Sequence, residues 1–215
     1  MQIKTYQGGF DKNLCYLVFC ETTRRAAIID PSVASVPVIE DIENENLVLD
    51  KIILTHTHYD HLAFMNDYLY QFPNIIICGH THPVQDGMSA YKGFSHREVF
   101  TIGSHMFTIL HTPGHYPDCI CIWNEKEGVL FTGDTMFIGR TGRTISPGSS
   151  ILDLYHSIYN ILLNLPEETI VYPGHHYGFS TSCTLNENRK YSPFFQCRSS
   201  SEFITVMDNF EKSRR

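Results

Sequence analysis

Three histidines and an aspartate fall within six residues at His56-Thr-His58-Tyr-Asp60-His61, between the apolar run Lys51 to Thr55 and a helix-patterned stretch from His61 to Phe72. Imidazoles and carboxylates packed this densely are costly to bury unless they are paired or bound to a cation. The donor types suit zinc and other borderline first-row metals. Where a strand gives way to a helix, side chains project into a crevice outside the sheet. Four donors so close in sequence do not fit one tetrahedral ion. A turn that sends His56 and His58 one way and Asp60 and His61 the other would feed two ions.

Three more candidate ligands stand at other strand ends: His115 in HTPGH, Asp134 in TGD and His175 in YPGH, each introduced by a glycine that lets the backbone turn tightly. A lone histidine near a strand end is usually a satisfied polar residue, and His80, His82, His96, His105, His111 and His156 are read that way. The segment Gly79 to Pro83, GHTHP, has no adjoining acidic partner and reads as a surface turn.

The apolar runs Leu14 to Cys20 and Ala26 to Asp30, separated by ETTRR, predict a hairpin closed by Asp30-Pro31. Helical spacing follows from Val36 to Leu47, then strands at Lys51 to Thr55 and Asn74 to Cys78 flank the helix patterned on Leu62, Met65, Leu69 and Phe72. Short strands are expected at Val99 to Ile102, His105 to Leu110, Cys119 to Trp123 and Val129 to Thr132. Ser150 with Asp153 makes a capping-box pattern before a helix ending at Pro166; a strand at Thr169 to Tyr172 and a terminal helix at Glu202 to Phe210 complete the reading. Two groups of strands interleaved with helices need partners for their apolar faces, which two face-to-face sheets with helices outside supply.

With 42% apolar and 18% charged residues the chain is expected to fold as one domain over residues 1–215, with a short helical tail from about 183 to 215. A net charge of −7 disfavours a nucleic-acid platform and favours a small-molecule substrate. Seven cysteines, an odd number and several of them in apolar runs, point to a reducing compartment. MQIKTYQGGF does not read as a secretory signal and no stretch reads as a membrane span, so the expected location is the cytoplasm. The pattern leaves a homodimer open.

The order His56, His58, Asp60, His61, His115, Asp134, His175, with the GDT of Gly133 to Thr135, resembles the ligand pattern of the metallo-β-lactamase superfamily. That resemblance implies an α/β fold of the αββα sandwich type. It also implies two metal ions, zinc first and iron as the alternative: His56, His58 and His115 on one, Asp60, His61 and His175 on the other, and Asp134 bridging. Asp60 and Asp134 would be the acidic groups of the reaction centre, Asp60 as ligand and orienter.

Within the superfamily, HTPGH (111–115), TGDTMFIGRTGRT (132–144) and YPGHHYGFSTS (172–182) are most similar to glyoxalase II and persulfide dioxygenase. The resemblance implies a binuclear hydrolase of a small thioester, of the hydroxyacylglutathione type, with Arg143 and Tyr177 beside the thiol half. The all-His/Asp pattern departs from true class B β-lactamases. The segment DHLAFM lacks the glycine pair usual after DH, and the tail from Ser180 to Phe210 is more similar to that of persulfide dioxygenase. The alternative is therefore a non-haem iron dioxygenase acting on a glutathione-type persulfide, its iron held by His56, His115 and Asp134 as a two-His, one-carboxylate set.

Overall fold

Strand β2 (Asn13–Phe19) is buried along its whole length because different apolar layers cover its two faces. Leu14, Tyr16 and Val18 point into the layer between two sheets, while Cys15, Leu17 and Phe19 point outward under helices. The same alternation in β10 (Val129–Gly133) sends Val129 and Phe131 between the sheets and Leu130 outward. These alternations build a helix, sheet, sheet, helix stack, shown here by a computed structural model that describes residues 1–85, 87–88 and 90–213.

The first sheet runs β1 (Gln2–Gly8), β2, β3 (Arg25–Ile29), β4 (Val48–Ile53), β5 (Ile76–His80), β6 (Tyr91–Phe94). It is antiparallel to β3 and parallel beyond. The second runs β12 (Cys183–Thr184), β11 (Ile170–Pro173), β10, β9 (Ile120–Asn124), β8 (His105–His111), β7 (Val99–Ile102), with only β10 and β11 parallel. Parallel neighbours need crossovers. Helices α1 (Val36–Asn44) and α2 (Met65–Gln71) supply those from β3 to β4 and from β4 to β5 in the first sheet, packing Val38, Ile42 and Tyr68 on its outer face. Helix α3 (Ile151–His156) begins the crossover in the second, and α5 (Ser200–Lys212) packs Phe203 and Met207 beside it.

At one edge the two sheets are joined by backbone. The Ile120 N–H donates to the Thr55 carbonyl at 2.7 Å, and the Leu14 N–H to the Gly174 carbonyl at 2.8 Å. The Tyr16 hydroxyl donates to the Pro173 carbonyl at 2.6 Å. All seven cysteines are free and buried, including Cys183 and Cys197, which lie outside the apolar runs.

Several elements differ from the sequence pattern. The helix expected over His61 to Phe72 starts at Met65, because a 3-10 turn over Tyr59–His61 aims His61 into the sheet edge and the Phe64 N–H is drawn to the Pro31 carbonyl. Ser150 caps α3 by accepting the Asp153 N–H, but α-geometry stops at His156. A π-turn over Ser157–Ile161 and a 3-10 turn over Leu162–Asn164 follow, keeping Leu154, Ile158 and Leu162 on the sheet while the Ser157 hydroxyl reaches the Pro113 carbonyl.

The tail expected to be helical begins instead with β12, which extends the second sheet. Then come α4 (Leu185–Tyr191), with a full capping box between Thr184 and Glu187, and α5, longer at both ends than the pattern indicated. Positions 214 and 215 of that tail lie outside the described residues. Edge strands β1 and β6 carry little apolar alternation and gave no clear signal. Among the described residues no helix is long and apolar enough to cross a membrane.

Phe131 is fully buried between the sheets, its ring 5.1 Å from that of Tyr16 and 5.3 Å from that of Tyr172. Phe131→Ala is expected to cost about 3–5 kcal/mol in urea unfolding. Thr184→Ala, which removes only the α4 cap, should cost about 1 kcal/mol.

Candidate metal centre

The candidate ligands leave the ends of strands from both sheets at the joined edge. His56 and His58 follow β4, and Asp60 and His61 sit on the 3-10 turn after it. His115 follows β8, Asp134 follows β10 directly, and His175 follows β11. The structure brings all seven together. Donor atoms of His56, His58 and His115 form one group that could hold an ion, those of Asp60, His61 and His175 a second, and those of His56, His61 and Asp134 a third between them.

Glycine is required at two of these turns. Gly133 has φ +47°, and a Cβ there would meet the Thr55 Cβ at 2.6 Å. A Cβ at Gly174 would lie 2.8 Å from the His61 ring and against Asp134.

Hydrogen bonds on the far side of the rings decide what the inner nitrogens present. The His115 Nδ1–H donates to the Arg143 carbonyl at 2.7 Å, and the His175 Nδ1–H to the Asp11 carbonyl at 2.9 Å. The His61 Nδ1–H donates to Asp30 Oδ2 at 2.9 Å. Thr55 gives its hydroxyl proton to Asp30, so its oxygen is left to accept the Nδ1–H of His56 at 3.2 Å. In the neutral rings each Nε2 then carries a lone pair, and these lone pairs face inward.

His58 Nδ1 lies 3.0 Å from both His56 Nε2 and His115 Nε2, and one proton can satisfy only one of those contacts. Asp134 Oδ2 lies 3.4 Å from His115 Nε2 on one side and 3.4 Å from His175 Nε2 on the other. Asp60 Oδ2 is 3.4 Å from His175 Nε2 and also accepts from the Asn13 amide at 2.8 Å. His61 Nε2 and Asp134 Oδ1 are buried with no hydrogen-bond partner. They lie 3.3 Å apart, and His61 Nε2 is 3.7 Å from Asp60 Oδ2, a crowding of buried ligand atoms around common points that fits metal ions.

The electrostatics divide the cluster. Burial, reinforced by neighbouring imidazoles, pushes His56 well below its ordinary pKa and His58 down to about 4. Burial also works against charge on His61 and His175, but the facing carboxylates outweigh it. Asp134 and Asp30 hold His61 well above its usual value, and Asp134 and Asp60 lift His175 to about 10. Burial would raise both acids, yet His175 and His61 hold Asp60 and Asp134 below the usual carboxylate range. The His56–His58 side is thus neutral at pH 7, and the acidic side gathers positive charge.

A cleft of about 180 Å3 opens beside the cluster, with His115, Asp134, Arg143 and Tyr177 on its wall. Both residues assigned to substrate from the sequence are there, but engaged. Arg143 is forked to Glu211 on α5, and the Tyr177 hydroxyl donates to Asp11 Oδ2 at 2.6 Å while its ring stacks on His175.

The remaining histidines stay outside the metal groups. His80 stacks on His111 at 4.1 Å, and His111 Nε2–H donates to the Pro117 carbonyl. Sequence reasoning missed Asp30, Asn13 and Asp118. Asp118 is buried and accepts the Thr57 hydroxyl and the Val84 N–H. Asp30 did carry a signal, an acid directly after an apolar strand like Asp134, but there it read as a hairpin end.

Comparison with known proteins adds the following. The family model described as Metallo-beta-lactamase superfamily matches residues 8–175. A probable hydroxyacylglutathione hydrolase of Schizosaccharomyces pombe is 34% identical over 79% of this chain and 66% of its own length. The chain thus spans just under two thirds of that relative. The probable polyketide biosynthesis zinc-dependent hydrolase BaeB of Bacillus velezensis is 29% identical over 94% of this chain and 90% of its own. Among solved structures, ETHE1 from Myxococcus xanthus superposes with a TM-score of 0.87 at 29% identity, covering 98% of this chain and 91% of that one.

Asp30 holds His61 directly and His56 through Thr55, so Asp30→Asn should disturb both rings. Competition with a chelating dye is expected to show metal affinity lowered about 10–100-fold, with unchanged affinity ruling out that orienting role.

Proposed function

Because the chain belongs to the metallo-beta-lactamase superfamily, we propose that it is a two-metal hydrolase of small thioesters, with hydroxyacylglutathione-type compounds as the first class to test. The observation that carries the reading is the carboxylate of Asp134, one oxygen of which lies 3.4 Å from an imidazole of each ligand group. In the proposal His56, His58 and His115 hold one ion, Asp60, His61 and His175 the other, and Asp134 lies between. Zinc is favoured by the borderline donor set and by the zinc-dependent relative BaeB.

Ions held by these residues would supply a bound water with its pKa lowered to about 7 and a Lewis acid for a carbonyl. The chain's own residues set the geometry. Asn13 fixes the carboxylate of Asp60, and His175 and His61 keep it ionised, so Asp60 holds and orients and does not carry a proton away. The cleft offers no ready acid, since the Tyr177 hydroxyl is committed to Asp11 and burial together with that bond raises its pKa. A thiolate departs without protonation, whereas an amine does not, so the wall of this cleft suits a thioester better than an amide.

A second reading has one iron on the expected set of His56, His115 and Asp134, with His115 Nε2 3.4 Å from Asp134 Oδ2; the two-imidazole, one-carboxylate group whose ligand atoms lie close together is His56, His61 and Asp134, so His61 stands in for His115. Such a set suits a non-haem iron dioxygenase, with a glutathione-type persulfide as substrate.

Metal analysis separates the two. Two zinc per chain, and thioester hydrolysis that a chelator abolishes and zinc restores, is the expected result; a single iron with oxygen uptake on a persulfide replaces it with the second reading. His175→Ala should lose about one metal equivalent and lower kcat/KM about 100-fold or more.

A further inference from the structure

The wall of the cleft carries an arginine, Arg143, whose guanidinium is the kind of group that takes up a substrate carboxylate through two parallel N–H bonds. In this chain that edge is already filled. Arg143 Nε donates to Glu211 Oε1 at 3.0 Å and to Oε2 at 2.9 Å, and Nη2 donates to Oε2 as well. Glu211 comes from the last turn of α5, which Phe203 and Met207 anchor against the second sheet, so the acid is delivered by a packed element. Its side chain is only 16% exposed against 39% for Arg143, so the pair sits at the cleft mouth with the acid as the more enclosed partner.

Across the cleft stands a second acid, Asp11, which accepts the Tyr177 hydroxyl. Arg140, the other base on the wall, has its guanidinium carbon 3.6 Å above the Tyr177 ring centroid. Two of the polar groups a carboxylate-bearing thiol half would reach for, the Arg143 guanidinium and the Tyr177 hydroxyl, are therefore held by carboxylates of the chain itself.

We propose that Glu211 is a specificity-determining residue, which occupies Arg143 and so turns the cleft away from thioesters with an anionic thiol half and toward those with a neutral one. The proposal rests on the thioester part of the reading above and, within it, ranks a neutral thiol half ahead of the glutathione type. An incoming carboxylate must either displace Glu211 from the fork or bind within reach of its negative charge. A neutral amide-bearing thiol half does neither.

The test compares two substrates that share an acyl group, S-lactoylglutathione and the lactoyl thioester of N-acetylcysteamine, on the zinc-loaded wild type and Glu211→Gln. Binding of S-methylglutathione, which has no thioester to cleave, is measured by calorimetry on the same proteins. A charge-assisted hydrogen bond is worth enough that Glu211→Gln should raise the kcat/KM ratio of the glutathione to the neutral substrate about tenfold, through KM, and tighten S-methylglutathione about tenfold. Glu211→Asp, which keeps the charge, should stay near the wild type.

An unchanged ratio and unchanged affinity in a folded, zinc-loaded Glu211→Gln overturns the proposal. Should that variant not fold, Arg143→Gln tests it from the other side. With Glu211 left uncancelled, S-methylglutathione should bind several-fold more weakly, and unchanged binding overturns the proposal. A wild type that cleaves neither thioester sinks the hydrolase reading, while the binding arm still decides the role of Glu211.

Discussion

A carboxylate with almost no solvent exposure, Asp30, sits where β3 ends and accepts the Thr55 N–H, the Thr55 hydroxyl and the Nδ1–H of His61. A buried acid is tolerable only if its oxygens are filled, and here three donors fill them. Those donors belong to the segment that bears the densest ligand cluster. One group thus ties the ends of two neighbouring parallel strands, fixes His61, and through Thr55 orients His56. The backbone at Asp30 adopts φ +50°, a conformation aspartate tolerates better than most residues.

The sandwich supplies the other half of the constraint. Ligands from a single sheet would line an open edge; ligands from two sheets can enclose a volume. The Ile120-to-Thr55 and Leu14-to-Gly174 bonds bring the two edges into contact at the height where β4, β8, β10 and β11 end. His115, Asp134 and His175 therefore meet His56, His58, Asp60 and His61 without any long loop having to reach across. The apolar layer behind them, with Phe131, Tyr16 and Ile122, keeps the strands in register, so the positions of the donors follow from the packing of the core.

Charge in the cleft follows a different logic from charge in the cluster. In the cluster, acids and imidazoles crowd toward shared points within 3.3–3.4 Å of one another, which suits them to holding cations. On the cleft wall, two polar side chains already have partners from elsewhere in the chain: Tyr177 has Asp11 from the β1–β2 turn, and Arg143 has Glu211 from α5. The first arrangement fits a chemistry that the family shares. The second, in the proposal above, sets which thiol half can approach.

The sequence by itself determined which residues gather, because the ligand motif and the strand, glycine, donor repeats are local patterns. It also pointed to the layer type, because β2 and β10 read as continuous apolar runs that need cover on both faces and the helical stripes at Val38 and Leu154 supply apolar faces to cover them. Only the tertiary structure decided which nitrogen of each imidazole faces inward, since Asp11, Asp30 and Arg143 lie 164, 31 and 28 residues from the rings they orient. It alone decided that Arg143 is engaged, because Glu211 stands 68 residues away on another element. The helix boundaries at Met65 and His156 belong here too, because the Phe64-to-Pro31 and Ser157-to-Pro113 contacts that accompany them span the fold. Local pattern records what a segment wants to bury; which distant group satisfies its remaining polar atoms is settled only when the layers close.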